Sequence, residues 1–356
     1  MFVGGEFYED NVWVTSSPSP PVRGAFFLNG GRACLTVIAH YLRANSINRI
    51  LLPSYLCPNI LDVLDASGFT YDFYQINEDL SIDQADLQKK AQAHQAVYLI
   101  NYFGFLHSPR TRDIFRDFKL NGKMIVEDNA QACTFVDPIG DFVFNSMRKF
   151  CGFDGSYMAT RIDCSEIINA FPERLNRRLP VIREYRRRLA DYLYKNQGSR
   201  TELDTLFHKA ETLYRDGVIH GNAEEKQKIE CLDWTTIKSV RRQNYEFLLR
   251  RIVDIPHIKP IFRALQPEIM PLGLPVYVDG ISRDMANEEL SEAGISLSIH
   301  WDDLLNDPRT NHDPLVTKMA GSMLTLVVDQ YTSRSQLEYL ARNLERVVST
   351  RITKAN

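Results

Sequence analysis

The apolar run Met124–Val126 ends in Glu127-Asp128-Asn129-Ala130-Gln131-Ala132, which sets a carboxylate, Asp128, just past a strand-like stretch. A carboxylate in that position commonly caps whatever helix follows. Buried, it can instead pair with a protonated ring nitrogen, keeping a flat heterocycle cationic and able to draw electrons from a bound carbon. Further on, Phe142–Phe144 reads as a second strand, followed by Ser146-Met147-Arg148-Lys149 and the glycines Gly152 and Gly155. A lysine beside an arginine is usually a solvated surface pair. Desolvated next to a cation, however, its pKa falls and its amine becomes a competent nucleophile toward an aldehyde. Arg148 is placed to supply that cation, or to help hold a phosphate.

Two earlier segments offer groups that such a ring would need. In LNGGRACL, Gly30 and Gly31 open a helix, so free N–H groups and the positive helix end at Gly31 and Arg32 suit an anion, with the Ser146 hydroxyl as a further donor. In LLPSYLCP, Tyr55 lies just beyond a strand, where its ring can stack on a flat heterocycle. Each feature taken singly has an ordinary structural reading. Their order is what informs: anion-binding helix start, aromatic, strand-end Asp, then Lys.

The elements that must position these residues follow from periodicity. RACLTVIAHYLRAN, CPNILDVLDASG, SIDQADLQKKAQAH and SPRTRDIFRDFKLNG read as helices, the third opened by a cap at Ser81. RILLPS, YDFYQI, AVYLINYFG and KMIVEDNA read as strands between them. That alternation predicts a mostly parallel sheet with helices on both faces, whose ligands bind beyond the carboxyl ends of the strands. From Ile167 to about Arg251 the chain is charge-rich and helical, with weak structure expected near GSRTEL and HGNAEEKQ. Arg183–Arg188 (REYRRR) reads as a solvated helix face, which a nucleotide diphosphate could also use. A second unit then follows, from strand-like GLPVYVDGI to the final helix SRSQLEYLARNLERVVS. The organisation expected is an extended segment over 1–24, a large α/β domain with a helical connector over 25–250, and a small α+β domain over 251–356.

At this point the chain resembles the DegT/StrS-type sugar aminotransferases of the aspartate-aminotransferase superfamily. Glu127-Asp128-Asn129-Ala130-Gln131-Ala132 matches that family's Glu-Asp-x-Ala-Gln-Ala motif in full. Gly31-Arg32-Ala33-Cys34-Leu35 is similar to its phosphate-binding helix start, Pro53-Ser54-Tyr55 to its Pro-x-aromatic segment, and Asn101-Tyr102-Phe103-Gly104 to its Asn-x-x-Gly turn. Pro275–Val278, Arg283-Asp284, Gly294-Ile295, His300-Trp301 and Leu324–Leu326 resemble parts of its small domain. The resemblance implies the α/β fold of pyridoxal 5′-phosphate (PLP) dependent transferases: a large domain with a mostly parallel sheet and a small C-terminal α+β domain. It also implies PLP held by Gly31, Arg32, Tyr55, Asp128, Gln131, Ser146 and Lys149, with Lys149 and Asp128 catalytic. A homodimer is implied as well, since this fold commonly completes its site with a second subunit. The chain departs from the family in three places. Ser146 and Lys149 stand two residues closer together, Gly152-Phe153-Asp154-Gly155-Ser156 replaces a Gly-Glu-Gly-Gly run, and only Asn176-Arg177-Arg178 stands near the segment that reaches into the neighbouring site.

The reaction expected is transfer of an amino group from an amino acid, glutamate first, to a keto sugar linked to a nucleotide. Another PLP reaction such as dehydration, or a non-catalytic binding descendant, remains an alternative, because fold does not fix reaction. Composition is that of an ordinary soluble globular protein: 44% hydrophobic and 24% charged residues, with a net charge of −3. That charge gives no reason to expect nucleic acid or an anionic membrane as partner. The opening MFVGGEFYEDNVWV lacks a basic stretch and an apolar core, and no run is long enough to span a membrane. Cys34, Cys57, Cys133, Cys151, Cys164 and Cys231 form no CxxC pair, so free thiols, no metal site and a cytoplasmic setting are expected.

Overall fold

The computed structural model describes residues 1–8, 13–310 and 312–355, with the side chains of 350–355 excepted. The N-terminal half contains strands β1 (Val3–Gly4), β2 (Phe26–Leu28), β3 (Arg49–Pro53), β4 (Thr70–Tyr74), β5 (Ala96–Ile100), β6 (Met124–Asn129), β7 (Phe142–Asn145) and β8 (Ser156–Thr160). Helices α1 (Gly31–Ala44), α2 (Pro58–Ala66), α3 (Gln84–Ala91) and α4 (Pro109–Leu120) alternate with them. One seven-stranded sheet results, ordered β2-β8-β7-β6-β5-β3-β4. The pairs β4–β3, β3–β5, β5–β6 and β6–β7 are parallel, whereas β8 runs antiparallel to both β7 and β2. A parallel sheet covered on both faces needs continuous apolar strands. All five residues of β5 and all four of β7 are buried accordingly. Polar side chains therefore collect at the carboxyl ends of β5, β6 and β7.

Helix boundaries follow local chemistry. Gly68, at φ +71°, ends the turn after α2, where a side chain would be strained. Ser108 caps α4 by accepting from Thr111 N. The cap of α3 is Asp83, not Ser81; its carboxylate accepts from both Ala85 N and Asp86 N, which a single hydroxyl would do less well.

The middle of the chain holds α5 (Ser165–Ala170), α6 (Arg178–Lys195), α7 (Arg200–Leu213), α8 (Ala223–Glu230) and α9 (Trp234–Ile252). The two stretches expected to be weakly structured are helix starts. Ser199 and Glu202 form a reciprocal capping box for α7, and Asn222 caps α8. Helices α6 and α7 pair into a hairpin with its own small core of Leu179, Ile182, Leu189, Leu203 and Ala210. REYRRR is not a uniformly solvated face. Arg186 is 1% exposed and donates to Asp154 at 2.8 Å, while Arg183 donates to the buried carboxylate of Glu225. The apolar stripe of α6 runs through Ile182, Tyr185 and Leu189, so Arg186 shares the inward face.

The C-terminal unit contains β9 (Ile258–Pro260), β10 (Leu274–Val278), α10 (Arg283–Glu292), β11 (Ile295–Ser296), α11 (Pro314–Ser322), β12 (Met323–Leu326) and α12 (Arg334–Ala355). Its antiparallel sheet is ordered β12-β10-β9. β1 pairs in parallel with β11, so the start of the chain returns to this unit, and α9 packs against α12. Among the described residues no helix is long and apolar enough to cross a membrane, and no three His, Cys, Asp or Glu side chains gather as a metal site. The six cysteines are free.

Candidate active site

β6 delivers its alternate residues to opposite faces, which separates the two acids of the Glu-Asp pair. Glu127 is fully buried in a structural role, accepting from Asn101 Nδ2 at 2.8 Å, Ile139 N at 2.7 Å and Gly140 N at 2.9 Å. Gly140 must be glycine for this, since a Cβ there would lie 2.5 Å from Phe142 O and 2.8 Å from Glu127 Cβ. Asp128 turns the other way into a cavity of about 670 Å³, measured with its open mouth. Its Oδ2 accepts from the Tyr98 hydroxyl and its Oδ1 from Ala130 N, both at 2.7 Å. Burial holds the carboxyl above its ordinary range, against the pull of those hydrogen bonds and of Lys149.

Lys149 ends a short 3-10 turn, Met147–Lys149, that follows β7, and its side chain lines the same cavity. No hydrogen-bond or ion-pair partner holds its amine among the described residues. Burial lowers its pKa, with the Arg148 charge adding to that and Cys57 and Asp128 opposing it. An amine that gives up its proton more easily than ordinary lysine faces a carboxyl that gives up its proton less easily, across one pocket.

Gln131 is anchored by its oxygen, which accepts from Phe103 N at 2.7 Å. Its amide nitrogen is buried with no partner among the described residues, in a residue that lines the cavity. Such an orphan donor is costly unless something it can donate to occupies the pocket. At the far end, α1 begins at Gly31 with no side-chain cap and no acidic residue in its first turn. Its first internal bond is from Cys34 N to Gly30 O, which leaves the N–H groups of Gly31, Arg32 and Ala33 available. Ser146, 6% exposed, also lines the cavity, and its hydroxyl has no partner among the described residues.

Gly31, Arg32, Asp128, Gln131, Ser146 and Lys149 thus meet around one cavity. Tyr55 does not line it. The Tyr55 hydroxyl donates to the carbonyl oxygen of His300, and its ring lies 5.4 Å from that of Trp301. The strand end sets where Tyr55 starts, but a carbonyl of the small unit draws its ring away. Trp301, contributed by that small unit, lines the cavity instead. His300 sits behind it, with Nδ1 2.9 Å from Thr325 Oγ1 and its pKa pushed down to about 3 by burial and by the Lys149 charge.

Tyr98, Cys57, Asn59, Trp301 and Tyr214 also line the cavity and were not singled out as site residues by sequence. Tyr98 was within reach of the strand pattern, since β5 pairs with β6 in the register Ile100 to Asp128 and places Tyr98 on the same face as Ile100. Tyr214 carries no such signal, because only tertiary packing brings it in, and Trp301 is reached from sequence only through the resemblance of His300-Trp301 to the family's small domain.

The residues gathered here fit PLP. An uncapped helix start flanked by the Ser146 hydroxyl and the Arg32 and Arg148 guanidinium groups suits the phosphate. A buried carboxylate with a raised pKa suits a protonated ring nitrogen, the orphaned amide of Gln131 a ring oxygen, and the unpaired lysine an aldehyde.

No protein-family model matches the chain, and no curated protein matches it in sequence. Solved structures do match it. The chain has the α/β fold of the PLP-dependent sugar aminotransferases. A Streptococcus pneumoniae protein assigned as a sugar aminotransferase, solved in its PLP form, superposes with a TM-score of 0.69 at 13% identity over 98% of this chain and 99% of that one. DesI, solved in the presence of its TDP-sugar product, gives 0.67 at 17% identity over 98% of this chain and 88% of that one. DesV of S. venezuelae, solved with a ketimine intermediate, gives 0.62 at 19% identity over 91% and 84%.

Proposed function

We propose that this protein is a PLP-dependent aminotransferase that moves an amino group from an amino acid, glutamate first, to a keto sugar carried on a nucleotide. The observation that carries the reading is the pairing, across one cavity, of a carboxyl shifted up with an unpartnered lysine shifted down. When bound, PLP supplies an electron sink for the carbon that gains or loses the amine.

The chain's own residues do the rest. Lys149 would hold the cofactor aldehyde through its amine, and the same amine, when free, would act as the base and acid that moves the substrate proton. Asp128, steadied by Tyr98 and Ala130, keeps a ring nitrogen protonated. The amide nitrogen of Gln131, buried and without a partner among the described residues, would donate to the ring oxygen. Trp301 covers the side from which the small unit approaches. Donor and acceptor occupy one pocket in turn, so ping-pong kinetics are expected. The nucleotide link is supported by DesI, whose product is a TDP-sugar. Our reading also takes the enzyme as a cytoplasmic homodimer, on the six free thiols and on the family resemblance respectively.

The test begins with purified protein reconstituted with PLP, reduced with borohydride and mapped by peptide analysis. The label is expected on Lys149; a label on another lysine refutes the assignment. Incubation of a keto-sugar nucleotide with nitrogen-labelled glutamate should give a labelled amino sugar. A dehydrated sugar in its place would make the enzyme a PLP-dependent lyase.

A further inference from the structure

Tyr214, just after α7, lies against the start of α1. A Cβ built on Gly30 would stand 2.1 Å from the Tyr214 hydroxyl oxygen, so that oxygen sits over the helix start itself. Three guanidinium groups surround the same ring, those of Arg32 and Arg178 4.7 Å and that of Arg148 5.1 Å from its centroid. Arg32, Arg148 and Tyr214 all line the cavity that holds Lys149. The counter-charge is thin on the cavity side. Glu211 is shared between Arg148 at 3.4 Å and Arg178 at 3.2 Å, Asp154 also receives Arg178, and Arg32 donates to the neutral oxygen of Asn59. The nearly buried Ser146 hydroxyl, which has no partner among the described residues, opens onto the same space. Asn176 and Arg178, the residues nearest to the segment that reaches into a neighbouring subunit in the resembling family, are engaged within their own chain. Asn176 bonds Asn29 and the N-terminus of α6, and Arg178 bonds Asp154 and Glu211.

We propose that the α6–α7 hairpin completes the phosphate cup in cis: the Tyr214 hydroxyl, from the turn that follows α7, grips the phosphate opposite the α1 amides together with the Arg148 guanidinium from the turn after β7. This deepens the cofactor reading above and rests on it. Arg32 donates from the helix itself, while Arg178 and Glu211 are positioning residues that hold Tyr214 and Arg148 at the cup. Cations stacked on a phenol ring gain from the ring face, and a phosphate dianion offsets the repulsion among them. The hairpin that reads in sequence as a connector is thereby part of the cofactor site.

The experiment compares PLP with pyridoxal, which lacks the phosphate, by equilibrium spectroscopic titration of the wild type, Arg148→Gln and Tyr214→Phe. Losing one charge-assisted contact should weaken PLP roughly ten- to hundred-fold in Arg148→Gln, and losing one neutral hydroxyl about three- to ten-fold in Tyr214→Phe. Pyridoxal affinity should change by less than about two-fold in Tyr214→Phe, which touches neither Lys149 nor Asp128, and in Arg148→Gln it should fall less than PLP affinity does, since there the lost cation acts on the aldehyde only by letting the Lys149 pKa rise. Inorganic phosphate should compete with PLP in the wild type and compete less well in Arg148→Gln. Tyr214→Phe keeps the ring on which the arginines stack, so it reports on the hydroxyl even where Arg148→Gln disturbs packing. PLP affinity unchanged in both variants, or PLP and pyridoxal falling in parallel, overturns the proposal. A wild type that binds neither compound overturns the cofactor reading itself.

Discussion

Replacing Asp128 with Asn separates two roles that a strand-end carboxylate can have, because they predict opposite signs. Asp128 is 5% exposed, accepts two hydrogen bonds of 2.7 Å and has no ion-pair partner among the described residues. Asn fits the same space, keeping an acceptor for Ala130 N and offering a donor to the Tyr98 oxygen. What disappears is a desolvated charge. Burial of a polar group without full compensation costs roughly 1–3 kcal/mol in proteins, so the cofactor-free variant should be more stable by up to about that amount. The sign depends on pH in a defined way. The folded carboxyl sits above its ordinary value of 3.8, so its favourable contribution is complete below that value and is lost as pH rises through the folded pKa. The gain should be full at pH 7 to 8 and vanish toward pH 3. Binding of PLP should move the other way. Loss of a charge-assisted hydrogen bond of about 1.5–3 kcal/mol weakens it roughly ten- to a hundred-and-fifty-fold. Urea unfolding of the cofactor-free protein across pH, with PLP titration beside it, reads both. A variant that is less stable while binding PLP unchanged would mean that Asp128 is a cap and nothing more.

Lys149→Met should abolish turnover and also stabilise the cofactor-free protein. The folded amine sits below its ordinary 10.5, so the unfolded chain takes up the proton more readily and stability climbs with pH toward that value. The gain in urea midpoint should be present at pH 7, shrink as pH climbs toward 10.5 and be gone above it, and a loss at pH 7 would contradict it. Asp154→Asn removes the carboxylate that receives both Arg178 and Arg186, leaving buried guanidinium groups short of a partner. Such a break costs about 3–5 kcal/mol, visible as a lowered denaturation midpoint. Gly140→Ala would push a methyl into Phe142 O and Glu127, and about 1–3 kcal/mol of overpacking is expected in the same assay.

The parts of this site that sequence reaches are those determined within one element. Asp128 follows an apolar run, so strand period and strand end together put it at the ligand edge of a parallel sheet. Lys149 and Ser146 follow β7 by a few residues, and Gly31 opens a helix, so a short stretch of chain limits where each can be. The same logic delivers Gln131 one turn beyond β6. Its orphaned nitrogen, though, depends on Phe103 N, and that backbone group comes from the turn after β5.

The rest is decided by packing between distant elements, for which chain order holds no signal. Tyr55 starts at the predicted strand end, yet the His300 carbonyl turns it away and Trp301 lines the pocket instead. Arg186 looks like one of several surface arginines until Asp154 and the stripe of α6 bury it. The strand-end acid and the lysine that follows the next strand were therefore legible from the sequence by itself, because covalent spacing confines them. Only the tertiary structure brought Tyr214 and Arg178 to the helix start beside Arg32 and Arg148, since that contact depends on where the turn after α7 comes to lie.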